Sequence, residues 1–263
     1  MGRSLYLWFD DSFINYLRKN ETIGQMRQEL KNIIVELRKD EIKNISTIGF
    51  IENNPVTEIV EISNSYLIKG ISNVEWVYLV CNNENDIRVL LEKSSRNTYF
   101  ASVEDWMIPI ITEKSEAEWI LTTMRYYLPG NVGVPGNKDE VIPLTTDNIG
   151  FMISQSNYKQ FLTPAYLEDR ITKSISAAIF EKNELVAWGL THDDGALGSL
   201  HVLDEYRKKG YGREILISLV HQTRKLGKIP FAQIEEKNVA AIKLAENLGF
   251  IKDRRVSWIK LKE

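Results

Sequence analysis

Apolar positions along this chain repeat with two periods, and the switches between them outline its elements. Residues 21–39 place Ile23, Met26, Leu30, Ile33, Ile34 and Leu37 at three- and four-residue spacings, which predicts an amphipathic helix. Residues 73–80, NVEWVYLV, read as a strand and residues 84–94 as a helix; residues 97–102 and Trp106–Thr112 read as two further strands. Strand, helix and strand in succession suggest an α/β or α+β layer. The stretch 129–138, PGNVGVPGNK, can propagate neither a helix nor a central strand. It is the best boundary candidate and divides the chain into residues 1–130 and 138–263, two domains of similar size.

The second half is more regular. Residues 142–147 read as a short strand running into a capped helix. Helices follow over 147–161 and 164–172, with Pro164 in a first-turn position. Residues 176–181 and 185–190 flank Lys182-Asn183 as a hairpin, and 197–203 form another strand. Residues 210–226 form a long helix with Ile215, Leu216, Leu219 and Val220 on one face, cations in its last turn and Gly227 as its stop. A strand at 230–234, a helix at 238–248 ended by Gly249 and a last strand at 256–261 complete the order. The fold class is therefore α/β (α+β), with an N-terminal α/β domain and a C-terminal half in which strands and helices follow one another.

Composition narrows the setting. Of 263 residues, 43% are hydrophobic and 26% charged, the balance of a soluble globular chain. A formal charge of −3 disfavours general nucleic-acid binding, which needs clustered cations against phosphate. One cysteine, Cys81, permits no intrachain disulfide and suits a reducing compartment. No stretch approaches the ~20 apolar residues of a membrane span. The N-terminus reaches Asp10 too soon for a signal peptide, and Tyr6 stands where a myristoylation motif wants Ser or Thr. The sequons at Asn20 and Asn44 then read as chance matches, and the expectation is a cytoplasmic protein without membrane or nucleic-acid partners.

The chemistry concentrates where the 197–203 strand ends and the long helix begins: Leu200-His-Val-Leu-Asp-Glu-Tyr-Arg-Lys-Lys-Gly-Tyr-Gly-Arg213. Unpaired N–H groups and a partial positive charge at a helix start attract anions, and glycines allow a close backbone approach. Lys208, Lys209 and Arg213 add charge beside Gly210 and Gly212, which suits a diphosphate. The plainer alternative is a surface turn with a solvated basic run. The Walker pattern is absent, and Ile215 stands where a dinucleotide fingerprint needs a third small residue.

Arg207-Lys-Lys-Gly210-Tyr-Gly212 resembles the Gln/Arg-x-x-Gly-x-Gly/Ala hallmark of the GCN5-related N-acetyltransferase (GNAT) superfamily, and Asn238-Val-Ala-Ala241 through Gly249-Phe250 resembles its later Asn-x-x-Ala…Gly-Phe helix. Asp204 departs from a place often held by Pro. The run from Trp188 to Gly195, followed by Leu197–Leu203, is also similar to the glycine N-acyltransferase-like branch, which carries an extra N-terminal domain. The resemblance implies a GNAT-type fold in the C-terminal half, a mixed, twisted sheet flanked by helices, and acetyl-CoA or another acyl-CoA as co-substrate, without a metal. It also implies an amine as acceptor and, for residues 1–130, a degenerate acyltransferase-like, substrate or regulatory domain.

By the same resemblance, backbone groups of Leu200, His201 and Val202 meet the pantetheine arm, with the Val202 N–H as the oxyanion donor. The pyrophosphate is expected on Lys208, Lys209, Gly210, Tyr211, Gly212 and Arg213, and Asn238 with Ala241 beside the arm. Asn238 equally suits a plain helix cap. The usual general base falls at Ala196 or Gln233 and the usual acid at Ala245, none of which can serve. Asp193, Asp194, His192 and Ser199 are the nearby substitutes, although His192-Asp-Asp-Gly195 is also what a hairpin turn would contain. His221 reads as structural. A domain that binds acyl-CoA without turnover remains the alternative to an enzyme.

Overall fold

A computed structural model describes residues 28–156 and 162–262. The chain divides into a unit ending at Asn44 and a compact unit running from Ile45 onward. In the first, residues 28–37 are helical (α1), and Ile33 and Leu37, one turn apart, are its buried positions. The remainder of the expected 21–39 helix lies largely outside the described residues.

Among its described residues the second unit holds ten strands. β1 (Val56–Ile62), β2 (Ser65–Ile71), β3 (Glu75–Val80), β4 (Tyr99–Val103), β5 (Ala117–Tyr127), β9 (Phe231–Ile234) and β10 (Ile251–Leu261) form a seven-stranded sheet in the order β1-β2-β3-β4-β10-β5-β9. β6 (Ser176–Glu181), β7 (Glu184–Thr191) and β8 (Leu197–Val202) form a separate antiparallel sheet. β3 and β4 are parallel, joined across α3 (Glu84–Lys93), so the expected strand–helix–strand succession is present. The Asn83 side chain caps α3 by accepting from the Asp86 N–H at 2.9 Å.

The large sheet spans the Pro/Gly stretch 129–138. β5, before it, pairs antiparallel with both β9 and β10, after it, and β10 also pairs with β4. The two halves of the sequence are thus stitched through shared strands.

Trp106–Thr112 is helical and not a strand. A 3-10 turn over Asp105–Met107 leads into α4 (Ile108–Ile111), with Pro109 in its first turn. Pro has no N–H to give a ladder but suits a first helical turn. Met107, Ile110 and Ile111, at helical spacing, bury into the core with Ile87, Leu90 and Phe100. Helix α2 (Glu41–Asn53), hairpin β1–β2 and strand β5 were not foreseen from the pattern.

In the C-terminal part, α7 (Tyr211–Lys225) packs on β6, β7 and β8, burying Ile215 and Leu219, and α8 (Val239–Asn247) adds Ala245 to the same core. α5 (Ile149–Gln155) and α6 (Pro164–Lys173) supply Met152 and Leu167 to a core with Ala178 and Trp188. Thr145 and Asn148 form the capping box expected at the entry to α5, and Ile142 bridges to Ala178. The strand expected at 256–261 begins earlier, at Ile251. No helix among the described residues is long and apolar enough to cross a membrane.

One buried ion pair makes stability depend on acidity. Lys69 on β2 is 1% exposed, and its ammonium lies 2.8 Å from Glu58 and 2.6 Å from the Ser95 hydroxyl. Burial raises the Glu58 carboxyl, but hydrogen bonds from Lys69 and Ser95 outweigh it and hold the pKa at about 2. A depressed carboxyl stabilises fully above its unfolded value and loses that contribution as pH falls through the folded one. Glu58→Gln should cost up to about 3 kcal/mol at pH 7, with the gap from wild type closing between pH 4.5 and about 2. Urea unfolding across that range measures it.

Candidate active site

Two sheet edges face each other. β8 ends the small sheet and β9 ends the large one; they are neighbours in space without a hydrogen-bonded ladder between them. β8 carries a bulge: from Trp188↔His201 to Leu190↔Gly198, two steps on β7 match three on β8. Ser199, inside that extra step, takes φ 47°. A bulge bends its strand and sharpens the local twist, which turns β8 away from a partner.

The register fixes where the next backbone groups point. The Leu203 N–H donates to the Val186 carbonyl at 3.0 Å, so that pair makes the ladder bonds. In an antiparallel ladder the adjacent pair, Val202 with Ala187, does not, and the Val202 N–H and carbonyl point to the open edge. Arg207 Nε, which donates to the Val202 carbonyl at 3.2 Å, lies on that same edge.

The loop that follows curls into the start of α7. Lys208 has φ 64° and Gly210, the N-cap, φ 97°. Left-handed residues at this point turn successive N–H groups toward one concavity, a nest for an anion. A Cβ on Gly210 would meet nothing within 4 Å, so the concavity is open on that side. At Gly212 a Cβ would lie 3.5 Å from Val202 and 3.6 Å from Leu200, which sets the helix start directly on the strand edge. The open edge and the left-handed turn thus lie at the same end of β8.

The charges around this end of β8 are arranged unequally. The Lys209 ammonium sits 4.5 Å from the Tyr206 ring centre, Arg207 also meets Asp204 at 2.6 Å, and Lys208 is exposed. Arg213 lies 3.7 Å from Glu214, whose buried carboxylate accepts the Lys138 N–H at 2.7 Å. The Tyr211 hydroxyl donates to Glu181, and that bond, with burial and the Glu181 charge, pushes the phenol up to about 12. Asn238 caps α8, accepting from the Ala241 N–H at 3.2 Å. Ala241 is half-buried, and Ala245 is 3% exposed in the main core. His201 stacks on Trp188 at 4.5 Å and 21°, and burial, aided by Arg207, holds its pKa down.

The turn before β8 separates the other candidates. Asp194 is 2% exposed, and its carboxylate accepts from the Ala196 N–H at 3.0 Å and from Gln233 Nε2 at 2.9 Å. Burial, then the neighbouring Asp193, raises its pKa. Gln233 also donates to the Ser46 hydroxyl on α2 at 3.0 Å, so Asp194 and Gln233 bind each other and the helix. Asp193 accepts from Ser72 at 2.5 Å. Ala196 is fully buried with Ile45 and Phe231. His192 remains half-exposed, with Nδ1 3.0 Å from the Tyr166 hydroxyl and the ring against Gly198. His221 Nε2 lies 2.8 Å from the Pro135 carbonyl, on the outer side of α7. Tyr166, Ser46 and Gly49 carry no motif and were not singled out by the sequence, and Gly198 appeared there only within the Leu197–Leu203 run. Among the described residues no group of three His, Cys, Asp or Glu side chains is placed to hold a metal.

Comparison with known proteins agrees with this geometry. Residues 176–259 match the family model described as FR47-like protein. A Drosophila protein of known structure is 16% identical, with 89% of this chain and 96% of that one aligned at a TM-score of 0.74. A GCN5-related N-acetyltransferase from Kribbella flavida aligns over 84% of this chain and 98% of its own at 11% identity and a TM-score of 0.56. An acetyltransferase of the GNAT family from Novosphingobium aromaticivorans aligns over 71% and 83% at 15% identity and 0.50. No curated protein matches the chain. In fold the chain is thus similar to these GNAT acetyltransferase structures, and residues 176–259 carry the FR47-like match. Nothing among these matches marks out the glycine N-acyltransferase-like branch.

Proposed function

We propose that the protein is an acyl-CoA-dependent N-acyltransferase, with acetyl-CoA as the first donor to try and an amine of a small molecule, amino acid or protein as acceptor. One observation carries this reading: the open edge of bulged β8, with the Val202 N–H directed outward, lies at the same end of the strand as the left-handed nest at Lys208–Gly210. A thioester with a pantetheine arm and a pyrophosphate matches that pairing of an extended edge and an anion nest. Leu200, His201 and Val202 would hold the arm. Lys208 to Arg213 would hold the pyrophosphate, and the Val202 N–H would meet the carbonyl oxygen as it gains charge. A fixed donor at that point is worth a few kcal/mol of barrier, about 3.

In this reading residues 138–263 carry the transfer site, and the part before residue 130 shapes the acceptor side or regulates it. The resemblance to the glycine N-acyltransferase-like branch favours amino acids for the acceptor panel. Cys81, buried and single, fits a reducing compartment. The second reading, an acyl-CoA binding protein without turnover, draws on Ala196, Gln233 and Ala245, which leave the usual acid and base places empty of titratable groups.

Calorimetric titration with acetyl-CoA, paired with release of free thiol in the presence of amino acids, polyamines and peptides, separates the two. Binding with amine-dependent release is expected. Binding without release from any amine would leave only the second reading, and no binding would remove both.

A further inference from the structure

The general base of the reaction has no residue at its usual place, and the structure shows what fills the gap. Gly198 lies in β8, two residues beyond Ala196, which closes the turn before that strand. A Cβ built on Gly198 would fall 2.1 Å from His192 Nε2 and 2.5 Å from Cδ2 of the same ring. The imidazole therefore stands in the side-chain space of position 198. Gly198 is not among the residues with positive φ, so space, and not backbone conformation, is what asks for glycine there.

The ring is fixed from two sides. The His192 N–H donates to the Ala196 carbonyl at 2.8 Å, and the Gly195 N–H donates to the His192 carbonyl at 2.9 Å, which closes the turn beneath it. Tyr166, capped into the first turn of α6 by Thr163, brings its hydroxyl 3.0 Å from Nδ1. In the tautomer whose Nδ1–H donates to the Tyr166 oxygen, Nε2 carries the lone pair, and Nε2 is the atom that meets β8 just before the bulge. Asp194, the competing candidate, is enclosed by Gln233 and the Ala196 N–H.

We infer that His192, oriented by Tyr166, takes the proton of the attacking amine in place of the carboxylate missing at Ala196. This rests on the transferase reading above. His192 Nε2 accepts a proton from the acceptor ammonium. The freed nitrogen lone pair forms the C–N bond at the thioester carbon, and the C–S electron pair leaves on the coenzyme A sulfur. The proton still on nitrogen is lost as the amide forms, and the thiolate takes one up. Tyr166 is a positioning residue. Tyr166 touches the ring at Nδ1 and Asp194 acts on it electrostatically, while Arg170 from α6, Tyr78 from β3 and Asp193 act on Tyr166 and Asp194 in turn.

His192→Gln should lower kcat about 100-fold at pH 7, the lower end of what a positioned base contributes, and remove the acidic limb of the pH–rate profile. Acetyl-CoA affinity, read by calorimetry, should stay within about twofold, because the anion nest is untouched. Tyr166→Phe should retain affinity and lower kcat by about tenfold with KM little changed, because the ring loses the partner that fixes its tautomer. The chain has three histidines, so the ring-nitrogen NMR signals of His192 can be followed directly and should show loss of the Nδ1–H form in Tyr166→Phe without any substrate. A folded His192→Gln protein that keeps both kcat and the limb would overturn the assignment while leaving the transferase reading intact. Wild type that binds acetyl-CoA and acylates no amine would overturn both.

Discussion

Gly210→Glu is expected to weaken acetyl-CoA binding by at least about 100-fold while the protein stays folded. The position is an N-cap at φ 97°, and a new side chain there meets no atom within 4 Å. The folding cost is then mainly that of holding an L-residue in the left-handed region, about 1–2 kcal/mol. The binding cost is different in kind. A carboxylate would stand in the nest that Lys208 and Gly210 shape, where a dianion is meant to rest, and like charges in one site repel. Gly210→Asn is the control, because Asn tolerates the left-handed region and adds no charge. Calorimetry on the two variants should show near-wild-type binding for Asn and little or none for Glu. Equal losses in both would mean that backbone strain, and not an anion site, explains the glycine.

The second large effect concerns stability. Gly49→Val should lower it by about 3 kcal/mol, the upper end of the usual overpacking cost. For a unit of this size that is a fall of roughly 6–12 °C in Tm. A Cβ at Gly49 would lie 1.9 Å from the Asp194 carbonyl oxygen, backbone against backbone, so no flexible side chain can yield. Around that contact Ser46 binds Gln233, and Asn54 donates to the Asp193 carbonyl at 2.9 Å. Helix α2 is thus clamped on the turn that launches β8. Calorimetric melting of Gly49→Val against Gly150→Val, a glycine with open space around it, separates this contact from loss of glycine as such. The turn also carries His192, so the variant should lose activity beyond what its folded fraction explains.

The sequence made the C-terminal part legible because its signals are local. The helix over 210–226 shows its own period, its glycine start and its glycine stop, and α7 spans Tyr211–Lys225 as those signals require. The hairpin around Lys182-Asn183 and the strand 197–203 likewise appear where alternation puts them, as β6, β7 and β8. Long-range pairing was not legible. β5 has exposed Glu118 and half-buried Trp119 at one end and a buried run at the other, because its partners change along its length from β10 alone to β10 and β9. Nothing in residues 117–127 announces strands more than a hundred positions away.

The site divides in the same way. Gly210 and Gly212 announce themselves beside lysines, and the structure joins them to Leu200 and Val202. Asp194 looked as eligible as His192 in sequence, since both sit in one turn. Only the fold shows that Gln233, thirty-nine positions on, encloses the carboxylate, and that Tyr166, twenty-six positions back, orients the imidazole. Gly198 sits in the quoted Leu197–Leu203 run, but its meaning appears only with the His192 ring in its place.

The most direct measurement is amine-dependent release of coenzyme A thiol, with mass spectrometry of the acceptor in the same reaction. With Cys81 buried, the protein's own thiol adds little to the readout. Wild type should release thiol and N-acylate an amine in equal amounts, and Gly210→Glu should do neither. Acetyl-CoA bound tightly, with no thiol released and no acylated product across amino acids, polyamines and peptides, would contradict the transferase reading.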